Sequence, residues 1–304
     1  MKRKQYARDP GLSARMALTT FLLGALYVSF FFVLLQLFSL SIGAVVAIIA
    51  ALALVQYFTS DRIALRASGA RVVSPEQAPE LHAMVERLCL EADLPKPRVA
   101  VIPTDMPNAF ATGRNPKNAV VAVTQGLWNR LNAREIEGVL AHELAHIANR
   151  DVLIMTVASF FAMVAAMLMR FGLFAGLMGG GRSRNAGGGL AIILLVSLVT
   201  YVISFILIRA ISRYREYVAD RSAAVMTGRP EHLMSALEKI AGRMSRIPES
   251  QLREVERMNA FFIVPTTLRR ATGELFLTHP PLEKRLAALA EVAEQMGRPV
   301  RRRR

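Results

Sequence analysis

The sequence predicts a mainly α-helical integral membrane protein with a small β-sheet (α+β) and about four transmembrane helices. Three observations carry that reading. Hydrophobic residues make up 53% of the 304-residue chain and mean hydropathy is +0.33, above what soluble domains show. Long uncharged runs occur in two places, before residue 61 and between residues 152 and 208. The segments outside them alternate amphipathic helical patterns with short runs rich in Val and Ala.

The chain opens with a basic tail, residues 1–15, carrying Lys2, Arg3, Lys4, Arg8 and Arg15. No charge follows from Met16 to Ser60. A bilayer core needs about 20 residues of helix, so the run is too long for one span. Its weakest part is "LQLFSLSIG", which divides residues 16–60 into spans over roughly 16–36 and 41–59. A cleaved signal peptide has an apolar core of only about 7–15 residues. A second hairpin occupies 152–208, with uncharged runs Val152–Met169 and Asn185–Ile208 around a glycine-rich loop, 172–189. The alternative is a hairpin packed on the soluble part and only partly in lipid. Four spans return the chain to its starting side. The first turn has no charge and the second connection only Arg170, Arg182 and Arg184, so the positive-inside rule predicts that both tails and residues 61–151 are cytoplasmic.

Residues 61–151 and 209–304 form the expected soluble part. Leu81, Met84, Val85, Leu88 and Ala92 repeat as a helical face. Strands are predicted at "RVAVI" (Arg98–Ile102), "NAFAT" (Asn108–Thr112) and "AVVAVT" (Ala119–Thr124), the last two joined by the turn "GRNPKN". A helix then starts at Asn132, with Glu135 three residues on as in a capping box. Ile136, Leu140, Leu144 and Ile147 make its buried stripe. After the last span, "RPEHLMSALEKIAGRM" and "PPLEKRLAALAEVAEQM" read as amphipathic helices. His82 and His232 fall on surface-like helical positions. Cys89 is the one cysteine, which excludes an intrachain disulfide and a multi-cysteine zinc site. It reads as a small buried apolar residue. A net charge of +15 in a chain with apolar runs points to anionic lipid, since no nucleic-acid motif accompanies it.

The chemistry lies in "HELAHIANRD". His142 and His146 stand at i and i+4, so they project from one helix face at a spacing that grips one ion. Zinc suits imidazole nitrogen, and a catalytic site uses three protein ligands plus water. Glu143 reaches that water without binding the metal and takes its proton. No third histidine follows soon after His146; the next along the chain is His232. The third ligand is therefore expected to be an acid from another helix, and "SRYREYVADRSA" supplies Glu216 and Asp220 one turn apart. One of them binds the ion while the other orients a histidine through its second nitrogen. The plain alternative is a solvated helix face with Arg213, Arg215 and Arg221. The hairpin between the two segments favours the metal site, because an antiparallel pair brings its ends together.

These motifs, in this order, resemble the HtpX-type membrane zinc metalloproteases, relatives of the CaaX-processing proteases. The likeness runs through the paired N-terminal spans, "PNAFATG", "HELAHIANRD", the second hydrophobic pair, "SRYREYVAD" and "THPPLEKR". It implies a gluzincin-like zinc protease domain in the cytoplasm, with one Zn²⁺ per subunit held by His142, His146 and Glu216, and Glu143 as catalytic base. Asp220 and Asp151 match positions that support the ligands. His279 matches a histidine that steadies the oxyanion, and Arg285 a charged neighbour. The resemblance further implies that Asn108, Ala109, Phe110, Ala111 and Thr112 form an edge strand along which substrate backbone pairs. From the residues alone, "NAFAT" also reads as a plain core strand and His279 as a cap on the last helix. The expected partners are the lipid bilayer and polypeptide substrates, misfolded membrane proteins under stress in particular. The expected place is the cell (inner) membrane. A catalytically silent scaffold of the same fold and a CaaX-type prenyl-protein protease are the alternatives.

Overall fold

The computed structural model describes residues 10–38, 42–178, 184–244 and 279–298. Most of the basic N-terminal tail, the centre of the glycine-rich loop, the RRRR tail, Thr278 of "THPPLEKR" and residues 245–278 of the expected second soluble part lie outside them. The chain divides into two compact units: Met1–Arg8, Thr59–Leu153 and Ser212–Arg304 form one, and Asp9–Phe58 with Ile154–Ile211 form the other.

The second of these units is helical. It draws on α1 (Pro10–Phe38), α2 (Ile42–Ala67), α6 (Asp151–Met178) and α7 (Arg184–Thr227). Three stretches, Pro10–Gln36, Asp151–Arg170 and Gly189–Thr227, are long and apolar enough to cross a membrane, and Val46–Thr59 in α2 is a shorter apolar stretch. The expected four spans thus become three to four. Inside the unit Leu23, Tyr27, Ala158 and Ile211 cluster. The Tyr27 hydroxyl donates to the Ala158 carbonyl at 2.5 Å, and its ring stacks on Phe161 at 4.5 Å. Phe21, Phe32, Val55, Phe174 and Leu195 are exposed. An apolar surface of that extent suits lipid and is costly in water.

The other unit holds a mixed sheet in the order β1-β2-β4-β3, with β1 at Arg71–Val72, β2 at Arg98–Ile102, β3 at Ala109–Thr112 and β4 at Val120–Thr124. β2 and β4 are parallel; β3 and β4 form the expected antiparallel hairpin. Side chains alternate across the pleat. Val121 and Val123 enter the main core, while Val120 and Ala122 join Ala100, Ile102 and Phe110 on the opposite face. The main core is closed by α3 (Pro79–Ala92), α5 (Ala133–Ala148), α8 (Pro230–Met244) and α9 (Leu282–Gln295), with the short α4 (Gln125–Trp128) beside β4. Cys89 is buried as expected, and burial pushes its thiol up to about 11. His82 corrects the surface reading: it is buried, with Nε2 3.1 Å from the Val73 carbonyl.

α5 carries the site, and both of its ends are fixed. At its start the capping box forms as predicted: Asn132 accepts from the Glu135 amide, and Glu135 accepts from the Asn132 amide at 3.0 Å. The same carboxylate takes Ser235 Oγ at 2.6 Å and Lys239 Nζ at 2.8 Å, tying α5 to α8. Burial would raise the Glu135 pKa, but Lys239, Ser235 and the Asn132 amide outweigh it and hold it low. Between these helices Gly138 permits close approach: a Cβ there would meet the Leu233 backbone nitrogen at 2.9 Å. The stripe of Ile136, Leu140, Leu144 and Ile147 is buried.

Candidate metal centre and active site

His142 and His146 stand one turn apart on α5, and Glu216 and Asp220 one turn apart on α7. The two imidazoles aim at one point, with Nε2 atoms 3.2 Å apart. Glu216 completes the triangle: Oε2 lies 3.6 Å from His142 Nε2 and Oε1 3.5 Å from His146 Nε2. Ligands held about 2.0–2.1 Å from a tetrahedral zinc stand about 3.3 Å from one another. The three edges match that figure, so the residues fit the ion.

The far nitrogens are turned to carboxylates. His142 Nδ1 lies 2.9 Å from Asp220 Oδ1, and His146 Nδ1 lies 2.5 Å from Asp151 Oδ2. A carboxylate on Nδ1 keeps the proton there and leaves the Nε2 lone pair for a metal. Asp151 reaches His146 because α5 ends at Asn149 and Arg150 turns left-handed (φ 56°), which starts α6 at a new angle. Asp220 is held in turn by Arg285, through Nε at 2.8 Å and Nη2 at 2.6 Å. Arg285 Nη1 also reaches Glu216 Oε2 at 3.3 Å. His279 Nδ1 lies 3.1 Å from the same oxygen.

Burial decides the electrostatics. Nearly all these groups are buried, His146 being half-buried. Burial alone pulls both histidines down. For His142 the Asp220 and Glu216 carboxylates overcome it and push the ring up to about 9. His146 falls to about 4 through burial and the His142 charge beside it. Glu216 lies well below the usual carboxylate range because His279, Arg285 and His142 outweigh its burial. Glu143 is raised, chiefly by burial, with His142, His146 and the Ala111 backbone beside it pulling the other way.

That contact brings β3 to the site. The Thr124 amide donates to the Asn108 carbonyl at 3.0 Å. Antiparallel hydrogen bonding alternates along a strand. With Phe110 opposite Ala122, Asn108, Phe110 and Thr112 therefore bond to β4, and Ala109 and Ala111 turn their backbone groups to the sheet's outer edge. The Phe110 side chain packs into the core on the opposite face.

The chain's relatives decide its kind. The profile of peptidase family M48 matches residues 75–293. The chain belongs to that family. The protease HtpX homolog of Moorella thermoacetica is 53% identical over 295 residues, covering 97% of this chain and 98% of that protein. Protease HtpX homolog 2 of Methanosarcina mazei is 51% identical over 297 residues, 98% of this chain and 100% of that protein. The crystal structure of S. mikatae Ste24p shares the fold with a TM-score of 0.55 at 19% identity, over 92% of this chain and 67% of that one. The M48 chain is thus a multi-pass, HtpX-type membrane metalloendopeptidase, with a zinc-type metal site of His142, His146 and Glu216.

The structure brings together the sequence-selected Glu143, His279, Asp220, Asp151 and Arg285 around those three ligands. It also excludes the alternative of a solvated face at Arg215. That guanidinium is buried against Asp151. No local signal marks it: Ile211, Ser212, Val218 and Ala219, its neighbours at helical spacing, include no acid. Its partner comes from another helix.

Proposed function

We propose that the protein hydrolyses peptide bonds of unfolded or damaged membrane polypeptides at the cytoplasmic face of the cell membrane, with one zinc per subunit and Glu143 as general base. The carrying observation is Glu143 buried beside the His142–His146–Glu216 triangle and near the Ala111 backbone of β3. A bound zinc supplies Lewis acidity that acidifies water and polarises a carbonyl. Glu143 takes the proton as the water oxygen attacks the scissile carbon. Burial makes that carboxyl a ready proton holder, and it passes the proton to the leaving nitrogen as the C–N bond breaks. His279, held against Glu216, stabilises the negative oxygen.

Within the substrate strand 108–112, Ala109 and Ala111 offer the main-chain groups that pair with a substrate. The other three positions serve β4. Backbone pairing is indifferent to side-chain identity, which suits varied unfolded substrates beside a membrane. The cytoplasmic placement of residues 61–151 and 209–304 rests on Lys2, Arg3, Lys4, Arg8 and Arg15 against the few charges of the second connection. The test compares wild type with Glu143→Gln, purified in detergent with zinc, on casein. The variant keeps its zinc and loses about 10²- to 10⁴-fold in cleavage rate, the range of a general base. Equal cleavage by both proteins would remove Glu143 from the mechanism.

A further inference from the structure

Arg215 stands one residue before Glu216 and is 3% exposed. It grips a single residue at two points. Its Nη2 pairs with Asp151 Oδ1, and its Nη1 donates to the Asp151 main-chain carbonyl at 2.5 Å. The other carboxylate oxygen, Oδ2, lies 2.5 Å from His146 Nδ1. Across the site the same order recurs: His142 Nδ1, then Asp220, then the fork of Arg285. Each histidine ligand is therefore backed by an aspartate, and each aspartate by an arginine.

We propose that Arg215 is a positioning residue for the metal site, holding Asp151 so that His146 keeps its proton on Nδ1 and its Nε2 lone pair on the metal. Asp151 opens α6 just after the left-handed Arg150, and its carboxylate is held between His146 on Oδ2 and Arg215 on Oδ1. A fork on both the side chain and the main chain of one residue fixes the two together. Lysine presents one ammonium and cannot reproduce that grip. The inference rests on His146 being a metal ligand.

The test measures zinc affinity of the full-length protein in detergent, by competition with a chromophoric chelator. It uses wild type, Arg215→Met, Arg215→Lys, Asp151→Asn, Arg215→Met with Asp151→Asn, and His146→Ala. Outer partners of ligand histidines typically carry 10- to 100-fold in metal affinity. Arg215→Met is expected to lose about that much, with Arg215→Lys between it and wild type. The cobalt-loaded Arg215→Met protein should show an altered d–d spectrum, which mere loss of packing elsewhere would leave alone. The double variant should bind no more weakly than Asp151→Asn, because Arg215 acts through Asp151. Wild-type affinity in Arg215→Met, or additive losses in the double variant, would overturn the proposal. If Arg215→Met does not fold, wild-type affinity in Arg215→Lys overturns it equally. Undiminished binding by His146→Ala would instead overturn the ligand assignment beneath it.

Discussion

Arg285 is the perturbation whose size the structure sets most clearly. It is 1% exposed and lies against two buried carboxylates, Asp220 by two hydrogen bonds and Glu216 at 3.3 Å. The two acids hold the guanidinium above its ordinary value despite burial. Arg285→Met keeps much of the volume and removes the charge. Removing one partner of a buried ion pair costs about 3–5 kcal/mol, because the remaining charge stays buried alone. In a unit of this size each kcal/mol moves Tm by about 2–4 °C, so the variant should melt about 6–20 °C lower. Metal is removed with a chelator first, since bound zinc adds its own stabilisation. The assay is tryptophan fluorescence: Trp128 is the only tryptophan and packs against the core of the sheet-containing unit. Adding Asp220→Asn should recover part of the loss, as the stranded carboxylate then disappears. A drop below about 3 °C, or a double variant as unstable as the sum of the singles, would refute the reasoning.

Zinc binding should strengthen with pH. The His142 ring, pushed up to about 9 by Asp220 and Glu216 against the pull of burial, holds a proton that the metal must displace. The apparent affinity should rise about tenfold per pH unit between about pH 6 and 8. It should level off above the folded pKa. Chelator competition at three pH values checks this, and a flat profile would contradict it. Gly138→Val drives side-chain carbons into the α8 backbone, where even a Cβ would lie 2.9 Å from the Leu233 nitrogen. Overpacking of that kind costs about 1–3 kcal/mol, read as a lower denaturant midpoint by Trp128 fluorescence.

Much of this architecture is local in origin and so could be read from the sequence. The stripe of Ile136, Leu140, Leu144 and Ile147, the Asn132–Glu135 capping box and the β3–β4 hairpin are each fixed by residues a few positions apart. The metal triangle is not local, yet it was legible: His142 and His146 lacked a third ligand, a hairpin returns the chain to Glu216 and Asp220, and the family resemblance pointed to Glu216 of the two. Harder to read were features with no nearby partner. Arg215 looked solvated because one position in a basic stretch carries no sign of what it meets, and Asp151 meets it from another helix. His82 looked exposed because helical periodicity does not reveal the Val73 carbonyl that satisfies it. Which residues of 108–112 face outward depended on register, which a single hydrogen bond from Thr124 to Asn108 settles.

The charges of the site follow one logic. Asp151, Asp220 and Glu216 are buried acids, and Arg215 and Arg285 are buried guanidiniums. With the histidines neutral, the acids exceed the cations by one, and Glu143 makes the excess two whenever it ionises. A buried cluster cannot hold such an excess without large cost. Protons answer part of it in the protein alone: His142 is raised by its carboxylates, and Glu143 by burial with Glu216 adding to the effect. A divalent cation between His142, His146 and Glu216 answers all of it. The two arginines thus set more than geometry. Losing either one would leave the cluster one charge further from neutrality, so that even a bound divalent cation would no longer balance it and protons on the histidines and Glu143 would be favoured as well.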